Sequence, residues 1–230
     1  MSLKLNSIIE PEMKNKLISE LRNQQKLKFL VLSFLLASII LIFLTFQFPS
    51  EEEIGLINNL IFLQFATLEP LLIVVFYLMG IWPAVQAILL YGDGRDKRIP
   101  AGPFILASFF TGAYALSAYI LVRESKKAKK QDNTLQRLFD SRFWGIFLFI
   151  LTVGLFILGS ILGNPQNYIA AFQKYLFVRV MTVDFLLFTL ITPITIYIHS
   201  VNNSIDISRY ILVLGMIPIL GALYYILKVS

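Results

Sequence analysis

Four stretches of about twenty residues with almost no charge, at 29–48, 71–91, 143–163 and 180–199, decide the solvent in which this chain folds. The hydrocarbon core of a bilayer is roughly 30 Å thick, and roughly 20 helical residues rising about 1.5 Å each cross it. Inside that core every backbone polar group must be satisfied within the protein, which leaves helices or closed barrels. The runs lack the period-two alternation of barrel strands. The sequence therefore predicts an all-α membrane protein.

Two further apolar stretches, about 102–122 and 210–228, bring the expected bundle to about six transmembrane helices, with five or seven as the alternatives. Residues 1–28 form a polar, basic segment expected on the cytoplasmic side. They mix Lys and Glu, and the run after them ends at Gln47-Phe48-Pro49-Ser50 without a small-residue cleavage site, so that run is expected to be retained as the first helix. Residues 29–230 are expected to form one transmembrane domain. Between the spans, 54–67 is apolar but interrupted by Asn58, Asn59 and Gln64, and 164–177 is amphipathic. Both suit the membrane interface, although the first could also be a short extra span.

With 57% hydrophobic and 15% charged residues, there is no room for a separate soluble domain. The net charge of +6 comes from Lys and Arg flanking apolar segments, where the positive-inside rule and anionic lipid account for it without nucleic acid. For six full spans the Lys/Arg bias is weak, because the basic stretch 123–142 falls opposite the N-terminus. The bias is strongest if the third apolar segment folds back on itself. The N-terminus is cytoplasmic, or stromal in a plastid, either way.

The absence of cysteine excludes disulfides, thiolate nucleophiles, Cys-ligated zinc and iron–sulfur clusters. With His199 as the only histidine, bis-histidine haem within the chain and a histidine-rich di-iron centre are excluded too. No metal or cofactor is expected, although an apolar bundle has room for pigment or lipid.

The two halves, 29–122 and 143–228, look alike. Each has an apolar helix, an amphipathic linker, a Pro-containing helix, a polar loop and a last helix carrying Gly-Ala (Gly112-Ala113 and Gly221-Ala222). Three full spans per half would turn the second half upside down, as in inverted-repeat transporters.

Asp184 is the costliest residue, about five positions into an apolar run, where a carboxylate costs ~2–3 kcal/mol unless it faces protein or water. It is a candidate proton, cation or ligand site, the alternative being an interfacial residue near Arg179. Gln86 is expected at similar depth, with Arg95 just outside, so a small polar pocket of Asp184, Gln86 and Arg95 is the candidate site. Glu69 before Pro70 reads foremost as a helix cap, and only secondarily as a second acid. The turn 93–98 matches neither an EF-hand nor a P-loop. Gly112 and Ala115 in the third segment, and Gly159-x-x-x-Gly163 in the fourth, read as helix-packing positions.

Several segments resemble an uncharacterised multi-pass integral membrane protein family of cyanobacteria and plastids. These are Met79-Gly80-Ile81-Trp82-Pro83, Asp93-Gly94-Arg95 with Ile99-Pro100, and Pro103-Phe104 through Ser108-Phe109. Gly112-Ala113 to Arg123-Glu124, Asp140-Ser141-Arg142, Val180-Met181-Thr182-Val183-Asp184-Phe185, and Pro218 to Leu223 complete them. The resemblance covers about 67–228 and implies a place, the thylakoid or plasma membrane of a phototroph, but no reaction.

Three functions compete at this point. The first is a non-enzymatic accessory or assembly factor for other, photosynthetic, membrane complexes, suggested by small-residue helix faces and little soluble mass. The second is a small secondary carrier with inverted repeats and an intramembrane acid. The third is a membrane enzyme acting on an isoprenoid or lipid, with Asp184 or Glu69 as the acid.

Overall fold

A computed structural model describes residues 25–93, 98–124, 142–206 and 209–229. Among them four helices are long and apolar enough to cross a membrane: Gln25–Leu44 (α1), Pro70–Leu90 (α3), Arg142–Leu162 (α6) and Leu176–Asn203 (α8). The short helices are Glu51–Ile61 (α2), Gly102–Thr111 (α4), Ala113–Val122 (α5), Pro165–Lys174 (α7), Arg209–Leu214 (α9) and Leu220–Val229 (α10).

Local chemistry places most of these ends. Ser50 caps α2 by accepting from Glu53 N, and Glu51, Glu52 and Glu53 complement its dipole. Glu69 accepts from Leu72 N at the start of α3, with Pro70 in the first turn. Asn164 caps α7 through Gln166 N and Asn167 N. At eleven residues α2 spans only about 16 Å, too short to cross the hydrocarbon core.

The expectation of six spans is corrected at the third and sixth segments. Helix α4 ends at Gly112, whose φ of 63° and ψ of −143° break the helix, and α5 runs back beside α4. The Phe104 and Tyr119 rings pack 5.4 Å apart, near the outer ends of the two helices. Both outer ends return to Asp93: Ala101 N donates to its carbonyl at 3.2 Å, and Arg123 pairs with its carboxylate at 2.8 Å. Ten residues make about 15 Å of helix, half of a bilayer. Helices α9 and α10 fold back the same way around 215–219, where Ile219 has φ of 58°. A Cβ on Gly221 would run into the Leu214 carbonyl, so only glycine allows that close turn. His199 Nδ1 meets Tyr225 Oη at 2.9 Å, and Gly145 lies against Ile226 and Leu227. The outer end of α10 thus returns to the last turn of α8 and the first turn of α6.

The two central helices run in the same direction. Along α3 and α8 the contacts advance together, from Phe76–Phe177 through stacked Trp82–Phe188 and Gln86–Thr192 to Asp93–Asn202. Helix α6 runs antiparallel to α3, with Gly159 and Gly163 against Leu71. Helix α1 runs antiparallel to α8: Gln47 meets Arg179 at one end, and Leu27 lies beside Tyr197 at the other.

Each half is therefore a long helix, a short surface helix, a second long helix and a fold-back hairpin. The halves exchange partners reciprocally. Helix α6 packs on α3 and α1 on α8, while Glu69 before α3 accepts from Asn164 N at α7 and Tyr175 before α8 donates to Glu52 on α2. The expected inverted halves are also corrected. Two crossings per half bring the chain back to its starting side, so the second half repeats the first in the same orientation, about an axis along the long helices.

The core lies where α3, α5, α8 and α10 meet, around Trp82, Phe188, Leu116 and Tyr225. One end of the bundle carries the bases of both hairpins, and the other carries α2 and α7.

Candidate functional site

Asp184 sits on α8, 3% exposed, where the first hairpin turns. Its Oδ1 accepts from Ala113 N at 2.7 Å, the first amide of α5. A carboxylate suits a helix N-terminus because the aligned peptide dipoles leave partial positive charge on the unpaired amides. Gly112 makes the approach possible: a Cβ there would overlap Asp184 Oδ2, and its positive φ strains any other residue.

Among the described residues Oδ2 has no donor, and no Lys or Arg lies within ion-pair distance of Asp184. The Asp184 side chain, whose Oδ2 lies over Gly112, lines a cavity of about 580 Å³ whose walls are the first halves of α3 and α8 and whose roof is the hairpin tip. Tyr77, Ser108 and Thr111 also line it, but their hydroxyls donate to the carbonyls of Leu60, Ile105 and Ala107. Phe109 and Phe110, 51% and 92% exposed, form its outer rim, so the cavity opens sideways between helices. It exists because the hairpin fills only the half of the bundle next to its base. The arrangement can hold a proton or a cation at Oδ2, beside space for an apolar body.

The other sequence candidates lie apart from it. Gln86, fully buried, donates to Thr192 Oγ1 at 3.1 Å, sharing that oxygen with Trp82 Nε1 at 3.2 Å. Thr192 is eight residues, roughly 12 Å, beyond Asp184 on α8, so the expected pocket joining Gln86 and Asp184 does not form. Glu69 is a joint at the far end, capping α3 with one oxygen and accepting from Asn164 N with the other. Arg95 falls outside the described residues. Gly159 and Gly163 admit Leu71 and Val74 of α3, and Ala115 is buried on α5, so these small residues serve packing within the chain. His199 belongs to the hairpin-base contacts through Tyr225.

Sequence reasoning missed the polar cluster at the hairpin base. Asp93, 2% exposed, accepts from Tyr119 Oη at 2.6 Å, Arg123 Nε at 2.8 Å and Asn202 Nδ2 at 2.8 Å. Lys28 Nζ adds a bond to the Arg123 carbonyl at 3.0 Å. The signal was an Asp just after one apolar run and an Arg just after the next. It becomes informative only once the intervening segment is known to fold back.

At the opposite end Glu52 accepts from Lys174 Nζ at 2.7 Å and Tyr175 Oη at 2.6 Å. These bonds hold the Glu52 carboxyl below the usual glutamate range and Lys174 above the usual lysine range. Glu53 accepts from Phe177 N.

Neither a protein-family model, nor a curated protein, nor a solved structure matches this chain.

Proposed function

We propose that this protein is a small secondary carrier in which Asp184 is the group a transported proton or cation visits. The observation that carries the reading is a buried carboxylate at the tip of a half-length helical hairpin, with one oxygen spent on the α5 amide and the side chain lining a cavity. Backbone that breaks at membrane depth is tolerated where protein or a cavity surrounds it, and broken helices mark the binding sites of many transporters. An ionisable group there is costly unless it works or is paired. Two halves in parallel orientation support the reading as well, since repeats about an axis along the membrane normal also build transporters.

On this reading the cavity is the vestibule on the α2/α7 side. The barrier is the buried packing of α5 on α8 together with the Asp93–Arg123–Asn202 lock at the hairpin base. A carrier would have to loosen that lock to pass its cargo on.

The accessory-factor reading loses its main support here, because the small-residue positions that suggested a docking face are occupied by Leu71, Val74 and Asp184 of the same chain. The enzyme reading loses Glu69, whose oxygens accept from Leu72 N and Asn164 N, and is left with Asp184 as its acid. Among the described residues no three of His, Cys, Asp and Glu gather as a metal site would require. The family resemblance extends the proposal to the thylakoid or plasma membrane of a phototroph.

Proteoliposomes containing a pH-sensitive dye and carrying an imposed membrane potential test the carrier. A proton or cation flux above that of empty vesicles is expected, falling about tenfold or more in Asp184→Asn, which removes the charge but keeps an acceptor for Ala113 N. A flux identical in the variant removes Asp184 from the mechanism.

A further inference from the structure

Building on Asp184 as the working carboxylate, we infer that its cavity binds a lipophilic amine: a single-chain amphiphile whose protonated nitrogen meets Asp184 Oδ2 and whose apolar tail lies along α3 and α8. Four features lead there. The cavity, at about 580 Å³, is of ligand-binding size. Its rim at Phe109 and Phe110 is exposed in the plane of the long helices, so a membrane-dissolved molecule enters sideways without passing through water. Phe76, Met79, Phe177 and Met181 make walls that suit a hydrocarbon chain, and the two thioethers add adaptable contact.

The fourth feature selects the head group. Among the described residues Asp184 is the only charged side chain lining the cavity, and it sits under the hairpin tip. A desolvated carboxylate with one amide donor and no neighbouring cation gains most from a ligand that supplies both a donor and a positive charge. A phosphate or carboxylate head would meet like charge, and an alcohol would bring the donor without the charge. The hydroxyls of Tyr77, Ser108 and Thr111 are engaged with backbone. The buried Tyr114 hydroxyl, also in the lining and without a hydrogen-bond partner among the described residues, offers the same ammonium head a second acceptor but no charge.

The test uses the full-length protein in nanodiscs and two photoreactive probes, a hexadecylamine and a hexadecanol with the same mid-chain diazirine. Crosslinks are mapped by peptide mass spectrometry. The amine is expected to label peptides spanning 76–80 and 177–184, with unlabelled dodecylamine competing. The alcohol should label these peptides about tenfold less or weaker still, as should the amine on Asp184→Asn, while Asp184→Glu retains labelling. Equal labelling by amine and alcohol, or labelling unchanged in Asp184→Asn, overturns the assignment. The wild-type comparison of the two probes decides the matter even if a variant fails to fold. Selective labelling without vesicle flux leaves the amine site standing and removes the carrier; flux without selective labelling does the reverse.

Discussion

At the scale of single residues, two contacts hold the first hairpin, and each makes a prediction. Gly112→Ala drives a methyl group into Asp184 and forces a positive φ on a residue with a Cβ. The backbone strain alone costs about 1–3 kcal/mol, so detergent-solubilised protein should unfold several degrees lower. Gly80→Ala, on α3 where a Cβ meets nothing within 4 Å, is the control and should leave the midpoint near wild type. At the base, Arg123→Ala removes the guanidinium partner of a buried pair and leaves the Asp93 carboxylate without it. Breaking a buried pair from one side costs about 3–5 kcal/mol. The combined variant Arg123→Met with Asp93→Asn should recover much of that loss, because no unpaired charge remains buried. Thermal unfolding followed by circular dichroism reads both; a single variant as stable as the double one would mean that the pair does not hold the hairpin.

Among elements, the two surface helices show how electrostatics outside the apolar region can fasten the halves together. The depressed Glu52 carboxyl contributes its hydrogen bonds above the ordinary glutamate value of 4.5 and loses them only as pH falls through its lower folded value. Lys174 works in the opposite sense, contributing below its ordinary 10.5 and losing its bond as pH rises past its higher folded value. Spin labels on cysteines at Ile54 of α2 and Ala170 of α7 should therefore report one narrow distance from about pH 5 to 9 and a broader one under strong acid. In Glu52→Gln the distribution should be modestly broader and no longer change under strong acid, the Glu53 bond to Phe177 N remaining; a distribution as narrow and as acid-sensitive as the wild type's would show that the ion pair fastens nothing. Much at this scale was legible in the chain. Ser50 before three glutamates, Glu69-Pro70 and Asn164-Pro165 announced helix starts, and hydropathy found the four long helices. Hydropathy failed at 102–122 because a twenty-residue apolar run has the same length whether it crosses or doubles back. The one local clue was Gly112 in its middle. The site was half legible for the same reason. Asp184 stood out by its cost, but its partner is a backbone amide at a turn whose existence the periodicity conceals, and Gln86 was placed beside it only by counting depth along full spans.

For the whole molecule, the fold-back hairpins decide which ends of the chain share a side. Helices α1 and α3 cross and return, the first hairpin stays on the side it started from, and α6 and α8 repeat the circuit. The ends near Lys28, Asp93, Arg123, Arg142 and Asn203 therefore lie together, and the ends bearing Glu52, Glu69, Asn164 and Lys174 lie opposite. Among the described residues the α2/α7 side carries Lys174 and Arg179, whereas Lys26, Lys28, Arg98, Arg123, Arg142 and Lys228 lie at the hairpin-base ends. The positive-inside rule then predicts that the hairpin-base side faces the cytoplasm or stroma. Because the chain has no cysteine, single cysteines report this directly. Substitutions at Arg98, Glu124 and Asp206 should react with a membrane-impermeant maleimide from one side of sealed vesicles, and those at Glu51 and Gln166 from the other. The pair Arg98 and Glu124 discriminates most, since it brackets the first hairpin: a full third span would separate them across the membrane, whereas the hairpin keeps them together. Reaction from opposite sides would remove the hairpin from the membrane fold, and with it the cavity under Asp184 on which the carrier depends.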